Sequence, residues 1–262
     1  MGRDRKLAER RLRFDDKIVL VTGGSRGIGR DIVNSFAEVG AKVHTCGRTP
    51  PGDGLPATFH ACDVRKADQV EEMLAAIGAE HGHVDIVVNN AGGSPHVDAA
   101  TASPRFSESI IALNLLAPLH VSRAAHPWLT KAAGQTAIIN IASVSAIRPS
   151  PGTSAYAAAK TGLLGLTRSL AQEWAPKIRV NAIIAGLIGT EDAAATYGSE
   201  DIQNQIIANQ PIGRLGTGQD IASACLFMAS DYAGYVNGAA WEVDGGGELP
   251  PFFSILKANG VA

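Results

Sequence analysis

Cysteine is scarce in this sequence, and the few cysteines form no ligand or disulfide pattern. Cys46, Cys62 and Cys225 are widely spaced, and no CxxC pair or Cys/His cluster with metal-ligand spacing occurs. An odd number of isolated cysteines is typical of free thiols in a reducing compartment, not of a disulfide scaffold or a zinc ribbon. We therefore expect a cytoplasmic protein with three free thiols and no metal site.

Long apolar runs and a charge imbalance are absent as well. No stretch reaches the ~18 uninterrupted apolar residues that a membrane-spanning helix needs. The 23 basic and 25 acidic residues leave a formal net charge of −2, so no global basic field attracts nucleic acid or an anionic membrane. The basic segment 1–14 lacks the apolar region of a secretory signal. We expect it to form a short N-terminal arm before a single domain that spans residues 15–262.

Aromatic residues are few, at 5% of the chain, whereas 29 residues are glycine. Short apolar runs alternate with segments of helical periodicity, which predicts an α/β protein. Because these runs are almost continuously apolar, they indicate parallel strands covered on both faces. We predict a single-domain Rossmann-type, doubly wound, seven-stranded parallel sheet. Its strands are predicted at residues 17–22, 41–46, 58–62, 84–88, 137–141, 178–184 and 239–243.

Two segments between the strands are unusual. A long helix is predicted over residues 110–129, and Pro118 is expected to disturb it because proline cannot donate the helical hydrogen bond. Residues 191–211 are polar and lie outside the strand–helix rhythm. Their isoleucines have helical spacing, and we expect this segment to be a substrate lid.

A glycine-rich turn, TGGSRGIG, follows the first predicted strand and opens a helix. Gly23 permits a tight turn, and Gly27 and Gly29 let backbone N–H groups approach a pyrophosphate. The same residues also fit G-x-S-x-G, the nucleophile turn of serine hydrolases. That fold places its histidine late in the chain, but all seven histidines here lie between His44 and His126. The dinucleotide interpretation is therefore favoured over the hydrolase.

Further motifs follow the glycine turn in a fixed order: NNAG at 89–92, Asn114, Ser143, and YAAAK at 156–160. Together the five resemble the short-chain dehydrogenase/reductase family over residues 15–247. PIGRLG at 211–216 and VDGG at 243–246 resemble its 3-oxoacyl-[acyl-carrier-protein] reductase-like branch. The resemblance implies an enzyme that interconverts a secondary alcohol and a ketone by hydride transfer to or from NAD(P).

The residues of the YAAAK motif account for proton transfer. Tyr156 and Lys160 are i and i+4 on one predicted helix, so they share a face. A nearby ammonium favours the phenolate, and we expect it to lower the pKa of Tyr156 so that this residue acts as the general acid/base. Ser143 would stabilise the developing alkoxide. By the resemblance, Lys160 binds the nicotinamide ribose, and Asn114 kinks its helix and holds a water that links Lys160 to solvent.

The resemblance also implies the cofactor contacts, with one departure: Ala185 stands where the family usually has proline. The end of the second strand, Gly47, carries no carboxylate and is followed by Arg48. This pattern favours NADP(H), whose 2′-phosphate an arginine can bind, although NAD(H) stays possible. The expected cofactor-binding residues are Gly23, Ser25, Arg26, Gly27, Ile28, Gly29, Arg48, Asp63, Val64, Asn90, Ala91, Gly92, Tyr156, Lys160, Gly186, Ile188 and Thr190.

The sequence is less informative about the substrate. A 3-oxoacyl thioester on coenzyme A or an acyl carrier, and a cyclic or steroid-like hydroxy compound, are both open, and a sugar ranks last. The alternative to an enzyme is a dinucleotide-binding regulatory protein on the same fold without turnover. The resemblance further implies that the protein forms a homo-oligomer, which we expect to be a tetramer. We expect no nucleic-acid or membrane partner.

Overall fold

The computed structural model describes residues 12–261. Most of the predicted N-terminal arm lies outside these residues. Its end does not stand apart from the domain: Phe14 is buried and its ring meets that of Phe36 edge-on, with 5.3 Å between the ring centroids. The folded domain therefore includes at least this last residue of the segment predicted as an arm.

Seven strands form one parallel sheet in the order β3-β2-β1-β4-β5-β6-β7. The doubly wound sheet predicted from the apolar runs is confirmed, and the chain reverses direction across the sheet between β1 and β4. Each strand lies within two residues of its predicted bounds. The strands are β1 Ile18–Thr22, β2 Lys42–Gly47, β3 Thr58–Ala61, β4 Ile86–Asn89, β5 Thr136–Ser143, β6 Ile178–Ala185 and β7 Ala240–Val243.

Helices cover both faces of this sheet. Their ends carry local stop and start signals: Thr217 and Asp220 form a capping box before α8, and Gly82 ends α2 in the left-handed conformation. The helices are α1 Gly27–Glu38, α2 Ala67–His81, α3 Pro104–Ile111, α4 Ala117–Leu129, α5 Ser154–Glu173, α6 Ala193–Tyr197, α7 Glu200–Ala208, α8 Gly218–Ala229 and α9 Pro251–Ala258.

The predicted helix over 110–129 differs from the observed one. The helical segment begins earlier, at Pro104, and a π-helical turn at Ala112–Leu116 separates α3 from α4. Pro118 is the second residue of α4, which directly follows the π-helical turn, so the helical hydrogen bond that its missing N–H cannot make falls in that turn. The irregularity therefore lies before the proline, in the wide turn that contains Asn114.

The core consists of two apolar layers, one on each face of the sheet. Alternate residues of β1 point to opposite faces, so Val19 and Val21 join one layer, whereas Ile18 and Leu20 join the other. The first layer packs α1 and α8, and the second packs α2 and α4. All three cysteines are buried free thiols, as predicted. Within residues 12–261, no helix has the length and apolar character required to cross a membrane.

A histidine of β2 lies on the face of the sheet that the second layer covers. The imidazole of His44, on β2, is buried and lies within hydrogen-bond distance of two others: its Nδ1 is 3.0 Å from His60 Nε2, and its Nε2 is 2.9 Å from His81 Nε2. Burial lowers the pKa of His44 to about 4, so it is neutral at neutral pH. Sequence spacing did not indicate this cluster, because the fold joins residues from β2, β3 and the end of α2.

Helices α2 and α4 approach closely at Gly78. A Cβ atom at this position would lie 2.2–2.4 Å from ring carbons of Trp128. The glycine is therefore a packing requirement of the second layer, even though glycine weakens a helix by about 1 kcal/mol relative to alanine.

Gly78→Ala should lower the free energy of unfolding by about 1–3 kcal/mol, because forcing an extra methyl into a packed core outweighs the gain in helix propensity. Denaturant unfolding measures this change. Ala75→Gly, at an exposed position of the same helix, is the matched control and reports propensity alone. A more stable Gly78→Ala protein would contradict the packing argument.

Candidate active site

A cleft of about 670 Å³ opens at the carboxyl ends of the strands, across the reversal point between β1 and β4. The fold brings together almost every residue that the sequence predicted for the site. Asn114 is the exception, because it is fully buried behind the wall of the cleft. The predicted residues that line it are Gly23, Ser25, Arg26, Gly27, Ile28, Gly29, Arg48, Asp63, Val64, Asn90, Ala91, Gly92, Ser143, Tyr156, Lys160, Gly186, Ile188 and Thr190.

The glycine turn between β1 and α1 is held against the end of β4. The hydroxyl oxygen of Thr22 accepts hydrogen bonds from the backbone N–H groups of Asn90 and Ala91, both at 3.0 Å. The Asn90 amide donates in return to the carbonyl oxygens of Thr22 and Gly23. Gly23 has φ +68°, which disfavours a side chain. These bonds fix the turn at the mouth of the cleft.

A carboxylate lies on this turn. Glu191, at the start of the predicted lid, accepts a hydrogen bond of 2.8 Å from the backbone N–H of Gly27. Hydrogen bonds from its own backbone and from Gly27 lower the pKa of Glu191. Because the turn binds one anion in this way, its N–H groups fit the phosphates of a dinucleotide. Nothing in the sequence indicated this contact, since its two residues are 164 positions apart.

The segment predicted as a lid contains α6 and α7 and makes two further contacts with the cleft. Asp192 forms an ion pair of 2.8 Å with Arg26, and both side chains are largely exposed. The Tyr197 hydroxyl donates to the carbonyl oxygen of Ile188. Arg26 was expected to bind the coenzyme, but in this structure its guanidinium is engaged by Asp192. The lid role of the segment itself stays a prediction.

Tyr156 and Lys160 lie one turn apart on α5, at the centre of the cleft. The Lys160 ammonium is 5.6 Å from the centre of the Tyr156 ring and donates a 2.7 Å hydrogen bond to the carbonyl oxygen of Ile141. Burial lowers the pKa of Lys160 to about 8. The Ser143 hydroxyl, at the end of β5, is hydrogen-bonded to the Tyr156 phenol.

The expected lowering of the Tyr156 pKa is wrong for this structure. Burial raises the pKa of the phenol, and the hydrogen bond with Ser143 opposes that rise. Lys160 does not reverse the shift, because its ammonium lies over the ring and is bonded to the Ile141 carbonyl. Tyr156 is therefore a protonated phenol at neutral pH.

Asn114 supports this centre from the π-helical turn. Its side-chain oxygen accepts from the backbone N–H of Gly93 at 2.9 Å, and its amide donates to the carbonyls of Gly93 and Ile110. A Cβ atom on Gly92 would lie 2.7 Å from the Asn114 oxygen and 3.2 Å from the Lys160 ammonium. The buried amide thus holds the loop after β4 beside Lys160.

The far end of the cleft, at β2 and β3, carries exposed charged side chains. Arg48 follows Gly47 at the end of β2 and is exposed. Within residues 12–261 its guanidinium has no hydrogen-bond or ion-pair partner. Asp63, by contrast, is bound by Arg65 through several hydrogen bonds, the shortest 2.6 Å, and these lower its pKa. The charge of Arg48 also helps to lower the pKa of Asp63, so the cleft presents a cation next to the end of β2 that makes no direct hydrogen bond within the described residues.

Sequence reasoning missed the hydroxyl groups of Ser150 and Thr153, which lie near Ser143 and Ser145. Ser150 lies 3.0 Å from the Ser145 hydroxyl and 2.6 Å from the Thr153 hydroxyl. Their position between the strand-end serine and the YAAAK motif is a signal that could have indicated them. The bond between Lys160 and the Ile141 carbonyl could not be predicted in this way, because every residue has a backbone carbonyl.

Comparisons with known proteins show which family the chain resembles over most of its length. A family model described as enoyl-(acyl carrier protein) reductase matches residues 23–248. The chain is 38% identical over 244 residues to a 3-oxoacyl-[acyl-carrier-protein] reductase of Chlamydia muridarum, covering 88% of this chain and 97% of that protein. It is 33% identical over 261 residues to a tropinone reductase homolog of Arabidopsis thaliana, covering 95% and 98%.

The fold has solved counterparts as well. The ligand-free aldohexose dehydrogenase of Thermoplasma acidophilum matches with a TM-score of 0.85 and 34% identity, covering 89% of this chain and 94% of that chain. The matched relatives are named as reductases and a dehydrogenase, and each match covers most of both chains. The protein is an NAD(P)-dependent oxidoreductase acting on a hydroxyl or keto group, and it belongs to the short-chain dehydrogenase/reductase family.

Proposed function

We propose that this enzyme reduces the keto group of a 3-oxoacyl thioester with NADPH, with the acyl chain carried by an acyl carrier protein or coenzyme A. The observation that carries the proposal is the convergence of Ser143, Tyr156 and Lys160 on one point of the cleft wall. The 3-oxoacyl-[acyl-carrier-protein] reductase relative supports the substrate class. NADPH, when bound, supplies the hydride, and the glycine turn would hold its phosphates.

The protein's own residues act on the substrate oxygen. The Ser143 hydroxyl donates a hydrogen bond that stabilises negative charge as it develops on that oxygen. Tyr156 donates the proton that completes the alcohol. Because burial keeps Tyr156 protonated, the site is suited to the direction that consumes a proton, which is ketone reduction.

Lys160 acts on the tyrosinate that this transfer leaves. An ammonium close to the ring stabilises the anion, and the hydrogen bond to Ile141 keeps the ammonium in place. The loop held by Asn114 closes the other side of the Lys160 ammonium. Since the pKa of Lys160 is lowered to about 8, this stabilisation weakens as the pH rises through that value.

The lining of the cleft supports an acyl substrate over a sugar. The carboxylates among the described lining residues are Asp63 and Asp192, and each is paired with an arginine. The Ser145 and Ser150 hydroxyls are hydrogen-bonded to protein groups. A polyol would therefore find few free partners, whereas an apolar chain would not require them.

A substrate panel tests the proposed activity. With NADPH, kcat/KM should be at least ~10-fold higher for a short 3-oxoacyl thioester than for a bicyclic ketone, since missing contacts in a binding pocket cost ~10-fold or more. Aldohexose oxidation with NADP⁺ is measured in parallel. Preferred aldohexose turnover would overturn the substrate assignment. Coenzyme binding with no turnover of any compound would favour a regulatory dinucleotide-binding protein.

Tyr156→Phe should lower kcat at least ~10²-fold and leave coenzyme affinity nearly intact, because positioned proton transfer contributes about 10²–10⁴-fold. Steady-state kinetics and fluorescence titration measure the two quantities. Tyr197→Phe is the matched control: it removes another cleft tyrosine hydroxyl, one bonded to the Ile188 carbonyl. Tyr156→Phe with more than about a tenth of wild-type kcat would contradict the assigned acid.

We further propose that Arg48 selects NADPH. Its unpaired guanidinium follows β2, and no acidic residue at the strand end repels a 2′-phosphate. A hydrogen bond to a charged group is worth roughly 1.5–3 kcal/mol, which converts to a preference of about 10- to 150-fold.

Arg48→Ala should reduce the ratio of kcat/KM for NADPH to that for NADH by about 10- to 150-fold, mainly through weaker NADPH binding. Arg105→Ala, at an arginine on α3 that does not line the cleft, is the control for loss of one positive charge. A wild-type preference for NADH, or an unchanged ratio in Arg48→Ala, would show that Arg48 does not bind the phosphate.

The homotetramer implied by the resemblance and the cytoplasmic location expected from the isolated cysteines stay predictions. The exposed aromatic side chains Phe252 and Phe253 on α9, with Trp241 on β7, support burial against another subunit.

A further inference from the structure

The histidine cluster of the second core layer has the composition of a metal site. Glu80, the residue before His81 at the end of α2, places Oε1 3.3 Å from His81 Nε2. One ligand atom each from His44, Glu80 and His81 lies within 4.8 Å of the other two. Two imidazoles and one carboxylate are a ligand set that suits zinc and related divalent cations.

Two of the three separations between ligand atoms are close to those around a shared tetrahedral cation, and the third is within 4.8 Å. Two ligand atoms at about 2.05 Å from one zinc ion lie roughly 3.3 Å apart. The distances observed are 2.9 Å between His44 Nε2 and His81 Nε2, and 3.3 Å between His81 Nε2 and the Glu80 oxygen. Small side-chain adjustments would therefore be enough to admit the ion.

His60 lies where it can orient the His44 imidazole. A proton on His44 Nδ1 can be donated to His60 Nε2 at 3.0 Å, and this tautomer leaves the lone pair of His44 Nε2 free for a metal. Metal-bound histidines in proteins almost always donate their second ring N–H to such a partner. The third neighbour, His81, is held at the helix end by the left-handed Gly82.

The cluster is also accessible and electrostatically suitable. His44 is 2% exposed, but the Glu80 side chain is 59% exposed, so an ion can enter from the surface along the carboxylate. Glu80 places its carboxylate beside the imidazoles of the cluster. A divalent cation would therefore meet the negative charge of this carboxylate.

We propose that His44, Glu80 and His81 form a zinc-type divalent cation site, with His60 as the positioning residue. The site joins the end of α2 to β2. It lies about 10 Å along the strand from Gly47, three residues further on at the edge of the cleft. Its role is therefore to fasten the sheet edge that carries the coenzyme-selecting Arg48.

The test uses the untagged full chain, treated with chelator and dialysed, and titrated with Zn²⁺ by calorimetry. We expect one Zn²⁺ per chain with micromolar or tighter affinity and a rise in Tm at saturating metal. Co²⁺ should bind at the same site with the intense visible absorption of a tetrahedral complex.

The variants separate metal ligation from hydrogen bonding. Glu80→Gln, at an exposed position that leaves folding intact, and His81→Gln should each weaken Zn²⁺ binding by at least ~10-fold; His60→Gln should weaken it about 10- to 100-fold. His120→Gln, outside the cluster, is the control and should bind as wild type does. Millimolar or weaker binding by wild type would overturn the proposal and leave a chain of hydrogen-bonded imidazoles. Unchanged affinity in both Glu80→Gln and His81→Gln would overturn it as well.

Discussion

The parallel pairing of β1 with β4 brings together two segments of the chain that supply different parts of the site. Val19 pairs with Ile86, so the glycine turn and the loop after β4 leave the sheet at the same edge. The Thr22 hydroxyl then binds the backbone of that loop directly. A change in register would move the loop away from both the turn and Lys160. The geometry of the site therefore depends first on the alignment of β1 with β4, and only then on individual side chains.

Asn114 and Lys160 are polar groups buried at this edge whose hydrogen bonds go to the backbone, so their positions depend directly on the fold. Asn114 bonds Gly93 and Ile110, and Lys160 bonds Ile141. Backbone partners cannot be removed by substitution, and they leave the ammonium with one fixed location. The consequence is a rigid centre in which Tyr156 and Ser143 are held within hydrogen-bond reach of each other.

The sheet could be predicted from sequence because each buried strand is an apolar run and each helix has a regular apolar face. The site residues could be predicted because their motifs follow strand ends, which a parallel sheet collects at one edge. The helix before Asn114 was harder, since a π-helical turn keeps helical composition while changing its hydrogen bonds. The direction of the Tyr156 pKa shift was wrong because spacing places Lys160 near the ring but does not show which atom its ammonium meets. The histidine cluster was not visible either, because its members come from three separate elements.

The carboxylate of Glu191 has a consequence for how ligands enter. It occupies the Gly27 N–H, one of the groups that we propose for binding an incoming phosphate, and one donor cannot serve both fully. An anion that arrives at the turn must therefore compete with Glu191, which belongs to the segment that follows β6. The neighbouring Arg26–Asp192 ion pair breaks or stays intact together with the Glu191 contact. Since that pair is exposed, dissolved salt screens it. At the mouth of the cleft, an incoming anion thus exchanges with a carboxylate of the protein. Access to the cleft therefore depends on ionic strength as well as on the shape of the cleft.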